Sequence, residues 1–271
     1  MDKPFISLQE LPEGPIKWID CRFSLQDPEA GRTQYEAAHV AGAIYWNLET
    51  DLSDMASEEG RHPMPSHSAL QVLFERSGLH QDDFIILYDN GGEPFATRGW
   101  FMLTYAGFNN AFILRDGWEQ LKNHVPVDAS IPEPVRTNLT INWKEDIRAS
   151  KETVKAIVSQ EKKRTLVDAR SEERYLGESE PIDAVAGHIP SAINYNWELL
   201  RNSGRFQDGS LEDLTKNVPD VPLTVYCGSG VTASPLFAML KQAGYKDVQL
   251  YVGSYSDWIR SEDIEIGRPK K

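Results

Sequence analysis

The chain has 271 residues, 40% hydrophobic and 10% aromatic, with 16 prolines; this excludes a disordered or fibrous protein and leaves room for two domains, each with a core. Its 28 basic and 41 acidic residues give a net charge of −13, which opposes non-specific attraction to nucleic acid or to an anionic membrane. Neither is expected as a partner, and a small anionic substrate would need positive charge placed locally. No apolar run of about 18 residues occurs, and the opening MDKPFISLQELPEG has no signal-peptide core, so a cytoplasmic location is expected. Cys21 and Cys227, the only cysteines, are too few and too far apart for a disulfide framework or a cysteine-rich metal site.

In chain order, WIDCR (18–22) is a short apolar run with strand character, followed by YEAAHVAGAIYWN (35–47) and the loop SEEG and GRHPMPS (57–66). IILYDNGG (85–92) is an apolar run of strand formers ending in a polar, glycine-containing turn. FMLTYAGF (101–108) has a helical pattern closed by glycine, and NAFILRDGW (110–118) is another strand leading to a turn. VPVDASIPEPVRTNLTIN (125–142) holds three prolines and little periodicity, which suits an extended linker.

The order then recurs. LVDAR (166–170) answers WIDCR, AVAGHIPSAINYN (184–196) answers YEAAHVAGAIYWN, and LTVYCGSG (223–230) answers IILYDNGG. AMLKQAGY (238–245) and DVQLYVGSY (247–255) answer the two segments that follow. Asp20 pairs with Asp168, His39 with His188, and Asp89 with Cys227. The chain is thus an internal repeat of alternating strands and helices, which predicts an α/β fold: two similar domains, each with a mainly parallel sheet flanked by helices. The expected boundaries are a first domain over 1–125, a linker over 126–142 and a second domain over 143–271. Loops at the carboxyl ends of the strands are the expected functional positions.

Cys227 stands at such an end, in VYCGSGVTAS (225–234), before a helix expected to start near Ala233 with Pro235 in its first turn. Gly228 and Gly230 allow successive amides to turn inward at the positive end of that helix, a setting that favours a thiolate. Taken alone, the pattern fits equally a small, buried, inert cysteine. Cys21, set among large neighbours with no glycine turn after it, reads as structural. With Asp89 in the place of Cys227, the first half lacks the nucleophile.

The two halves resemble tandem rhodanese domains. CGSGVTA is similar to the active-site loop of the 3-mercaptopyruvate sulfurtransferases, which pair an inactive amino-terminal domain with a catalytic carboxyl-terminal one. YEAAHVAGA resembles the family's amino-terminal signature, with Ala41 where proline is usual, and GHIP (187–190) is its second-domain counterpart. The resemblance implies ping-pong sulfur transfer through a Cys227 persulfide, from a small anionic donor to cyanide or a thiol, with no metal or organic cofactor. The amides from Gly228 through Gly230, Val231 and Thr232 would cradle the persulfide. The neutral loop residues Gly228 and Ser229 favour 3-mercaptopyruvate over thiosulfate, whose enzymes usually carry Arg and Lys in the loop.

Arg174, in ERYLGESEP, matches the family's substrate-anchoring arginine; as a generic reading it is a solvated surface arginine beside glutamates. A second arginine is usual shortly after it, but Ile182 and Asp183 follow Glu180 and Pro181 here, so that anchor is absent and thiosulfate stays open as a donor. His62 resembles the histidine that meets the loop serine, suggesting a Ser229–His62 relay; the acid proposed to support it falls on Asn47. Alternatively, Ser229 is a turn residue and His62 a loop histidine. His39 and His188, present in both copies, read as structural, as do Trp118 and Trp258, and Arg98 as a domain-interface residue. A C-x5-R phosphatase is disfavoured because Ala233 stands at the arginine position. A non-catalytic interaction module is disfavoured by the intact cysteine loop. Oligomeric state is open, with a monomer compatible.

Overall fold

A computed structural model describes residues 3–261 and 264–268. One compact unit comprises the described residues of 1–54, 65–144 and 202–206; the other comprises those of 55–64, 145–201 and 207–271. Two short segments, 55–64 and 202–206, thus belong to the unit opposite their sequence neighbours. The stretch expected to be a linker stays with the first unit: Val127–Asp128 pairs antiparallel with His39–Val40, and Thr137 donates its amide to the Glu75 carbonyl.

The first unit is built on a five-stranded sheet in the spatial order Phe5–Ile6, Ala111–Leu114, Ile85–Tyr88, Lys17–Asp20, Ile44–Tyr45. The second repeats it as Arg148–Ala149, Val248–Tyr251, Leu223–Tyr226, Thr165–Asp168, Ile193–Asn194. Every neighbouring pair in both sheets is parallel. The central strand of each sheet explains the run-like rather than alternating hydrophobicity of IILY and LTVY: all four residues of each are buried, as parallel strands covered on both faces must be.

Numbered along the chain within each sheet, the second strand (Lys17–Asp20 or Thr165–Asp168) is followed outward in one direction by the third, and the fourth (Ile85–Tyr88 or Leu223–Tyr226) in the other direction by the fifth. A crevice therefore opens between the second and fourth strands at their carboxyl ends. Register puts Asp168 beside Tyr226 there, and Asp20 beside Tyr88. Cys227 and Asp89 are the next residues along the fourth strands.

The helix after the cysteine loop spans Ala233–Gln242, with residues 233–240 buried, so it packs as a core helix rather than an amphipathic surface one. In the first unit the corresponding helix is Phe95–Tyr105; it begins upstream of the FMLTYAGF pattern because Phe95 and Ala96 are also buried. Trp118 and Trp258 lie in the two cores. Arg98, a residue of the first unit, is fully buried and donates to the Leu52 carbonyl. Among the described residues no helix is long and apolar enough to cross a membrane, and no cluster of three or more His, Cys, Asp or Glu side chains is arranged to hold a metal ion.

Candidate active site

Cys227 follows its strand directly and is 1% exposed. Its backbone is held from both sides: its amide donates to the Ser254 hydroxyl at 3.1 Å and its carbonyl accepts from the Tyr255 amide at 3.0 Å. The sulfur accepts the Gly230 N–H at 3.1 Å, with the Ser254 hydroxyl 4.0 Å away. Gly230 makes this possible: its φ is +76°, and a Cβ there would lie 2.2 Å from the Val252 carbonyl oxygen, so only glycine both turns and fits. The Ser234 hydroxyl, in the first turn of the helix, donates to the Gly230 carbonyl at 2.9 Å, which ties the turn to the helix start.

Ser229 is buried, and its hydroxyl lies 2.9 Å from His62 Nδ1. Asn47 belongs to the first unit and is occupied as a turn residue, its side-chain oxygen accepting from the Glu49 and Thr50 amides. Next to His62, Arg61 reaches the same loop: a Cβ on Gly228 would fall 2.5 Å from Arg61 Nη2 and 3.4 and 3.6 Å from Arg174 Nη2 and Nη1. Two guanidinium groups therefore converge on the residue after the cysteine.

Buried carboxylates hold both groups. Arg174 donates Nε and Nη2 to Glu180 at 2.8–3.2 Å, and Nη2 also to Asp183 at 3.0 Å; Arg61 Nη1 donates to the other oxygen of Asp183. The chain of alternating charge continues to Arg170, whose Nη1 meets Glu180 at 3.1 Å and whose Nε and Nη2 grip Asp168 at the end of the second strand. The carboxylate side chains are each 3% exposed, whereas Arg61 and Arg174 are 29% and 17% exposed, so the cations present the accessible edge. Burial pushes the Glu180 carboxyl up, but Arg174 and the amides of Asp183 and Ile182 outweigh it and the net shift is downward. At Asp183 burial wins over the pull of Arg61, and its carboxyl sits above the ordinary range.

The rhodanese-like domain family matches this chain twice, over residues 7–124 and 150–261. The chain belongs to that family. A Pseudomonas aeruginosa relative, provisionally named a 3-mercaptopyruvate sulfurtransferase, is 36% identical over 92% of this chain and 91% of its own length. A Mycobacterium tuberculosis relative, provisionally named thiosulfate sulfurtransferase SseB, is 34% identical over 94% and 91%. The crystal structure of SseA from Escherichia coli aligns over 94% of this chain and 99% of its own, with a TM-score of 0.79 and 25% identity. The protein is accordingly a sulfurtransferase with two rhodanese domains.

The two rhodanese units differ at one decisive place. In the first, the two carboxyl oxygens of Asp89 accept the Gly91 amide at 2.8 Å and the Ala96 amide at 3.0 Å, capping the helix from where the second unit has a sulfur. Burial, then the nearby Glu93, pushes Asp89 up to about 8. Shared parts are scaffold. Arg22 grips Asp20 and stacks 4.2 Å over Trp118, as Arg170 grips Asp168 and stacks 4.1 Å over Tyr255. His39 and His188 bond the carbonyls of Tyr35 and Tyr175 at 2.6 and 2.7 Å and stack on those rings. Cys21 is wholly buried, and burial, aided by Asp20, drives its thiol well above the ordinary value, which keeps it protonated and inert.

Of the residues to which the sequence points, Cys227, Ser229, His62 and Arg174 all belong to the second unit, where His62 meets Ser229 and Arg174 meets the loop at Gly228. Arg61, Glu180 and Asp183 join them there without a motif of their own. Their signal was present as the cation preceding His62 and the carboxylates of ESEPID, but only the fold shows that they meet.

Proposed function

We propose that this sulfurtransferase carries sulfur as a persulfide on Cys227, taking it from 3-mercaptopyruvate and passing it to a thiophilic acceptor such as cyanide or a thiol. The observation that carries the reading is the seat of the sulfur: it is buried at the end of a central strand, with the Gly230 amide donating to it at 3.1 Å. Fixed donors in a site screened from water stabilise a sulfur anion without reorganising. The thiolate attacks the donor's sulfur, the carbon–sulfur bond breaks, and its electron pair passes to the CH2–C=O unit as an enolate. The donor's thiol proton ends on that carbon, giving pyruvate and the persulfide anion. In the second step the acceptor attacks the outer sulfur and the Cys227 thiolate leaves. The hydroxyl of Ser229, backed by His62 at 2.9 Å, is suited to bond the donor's ketone oxygen as charge grows there, and Arg174 to hold its carboxylate. The amides of Gly228, Val231 and Thr232 complete the proposed cradle.

Thiosulfate, the donor in the name of the M. tuberculosis relative, would react by the same attack with sulfite as leaving group. Charge balance favours the keto acid: Arg61 and Arg174 are offset by Glu180 and Asp183, which leaves no net positive charge for a dianion. Cyanide-acceptor turnover with the two donors side by side tests the reading. A higher kcat/KM for 3-mercaptopyruvate is expected, a higher value for thiosulfate overturns the donor assignment, and full turnover by Cys227→Ser overturns the persulfide.

A further inference from the structure

We propose that Arg61 is the second anion-binding residue of the donor site, acting beside Arg174, with Asp183 as the residue that positions it. The inference rests on the sulfur-transfer reading above and names how that site selects its donor. Its basis is the matched register of two loops: consecutive residues Arg61 and His62 address consecutive residues Gly228 and Ser229.

The register is fixed by backbone, not by side chains alone. Gly60 has φ +106°, and a Cβ there would lie 2.8 Å from the Gly253 carbonyl oxygen and 2.9 Å from the Ser256 hydroxyl. A side chain at 60 would therefore lift the segment away. The Arg61 amide donates to the Ser256 hydroxyl at 3.1 Å, while the Ser256 amide donates to the Gly228 carbonyl at 2.9 Å. One serine thus clamps both the segment bearing Arg61 and the loop it overlies.

The arginine's two ends are divided between support and display. Nη1 pairs with Asp183, and Nη2 is the atom nearest to where a Cβ on Gly228 would stand. On Arg174, Nε and Nη2 are committed to carboxylates, and Nη1 lies 3.6 Å from the same position. Nitrogens of two different guanidiniums therefore approach the Gly228 position, next in sequence to Cys227, and guanidinium N–H groups are the donors suited to the oxygens of a carboxylate. The sequence supplies no arginine at Ile182; the fold supplies one from residue 61.

The test uses the full chain and the variants Arg61→Gln, Arg61→Lys and Asp183→Asn. For 3-mercaptopyruvate with cyanide as acceptor, Arg61→Gln is expected to raise the donor KM by about 10- to 100-fold with kcat changed less than about threefold, and Arg61→Lys to recover part of the loss. Asp183→Asn, which loosens the guanidinium of Arg61 and one bond of Arg174 without removing either group, should raise KM less than Arg61→Gln does. Pyruvate, which has the carboxylate and ketone but no sulfur to give, is the binding probe: its inhibition constant should rise in parallel with KM. An unchanged KM and unchanged pyruvate inhibition in Arg61→Gln overturn the role of Arg61 while the parent still turns over. A parent that transfers sulfur from neither donor instead overturns the reading on which the role rests.

Discussion

Replacing Gly228 by alanine separates crowding of the donor site from damage to the fold. Gly228 does not have positive φ, so alanine is accommodated by its backbone, but the new Cβ would stand 2.5 Å from Arg61 Nη2. Ordinary contact requires Nη2 to withdraw by about 1 Å. Arg174, already 3.4 Å away, need not move. The clash is with the free end of a long side chain that is partly solvent-exposed, so the fold should lose less than about 1 kcal/mol, and Tm should shift by no more than about 3 °C. The site has no such tolerance, because a displacement of that size at an orienting group can cost about 100-fold. We expect Gly228→Ala to lower kcat/KM for 3-mercaptopyruvate 10- to 100-fold in the cyanide-acceptor assay while thermal unfolding is nearly unchanged. In an Arg61→Gln background the same substitution should cost far less, since the group it displaces is gone. An unchanged kcat/KM in the single variant, or equal losses in both backgrounds, would refute the reasoning; a large drop in Tm would show that the space beside Gly228 is bounded by rigid atoms instead.

Gly230→Ala should behave oppositely: with φ +76° and the Val252 carbonyl 2.2 Å from the added methyl, backbone must move, so a loss of roughly 2 kcal/mol or more in urea unfolding is expected together with lost activity, and a fully stable variant would contradict the geometry. Asp89→Asn should alter pH dependence. The carboxyl is held at about 8 in the folded chain, mainly by burial, and near its ordinary value of about 4 when unfolded. The folded state therefore retains a proton that the unfolded state releases, and this stabilising contribution, full below about pH 4, is lost as pH rises through about 8, at up to about 1.4 kcal/mol per pH unit. Urea unfolding from pH 5 to 8 should show a flatter dependence in the asparagine variant; identical slopes would mean that Asp89 does not hold the proton.

What the sequence made legible was whatever is local and repeated. The alternation of strands and helices, the strand end at Cys227, the helix start near Ala233 and the replacement of cysteine by Asp89 all follow from neighbours along the chain or from comparison of its two copies. The repeat also separates scaffold from chemistry: Asp20–Arg22 and Asp168–Arg170 make the same ion pair, but only Arg170 continues through Glu180 to Arg174. The departures come from contacts that no periodicity encodes. Residues 55–64 are assigned by sequence to the first copy and by packing to the second, and the apolar pattern does not say where that loop folds, because its fixing elements are a positive-φ glycine and one serine hydroxyl. Arg61 was therefore invisible as a site residue for the same reason that Ile182 looked like a missing anchor. A charge required at one point in space need not come from one point in the sequence, and the motif reports only the second.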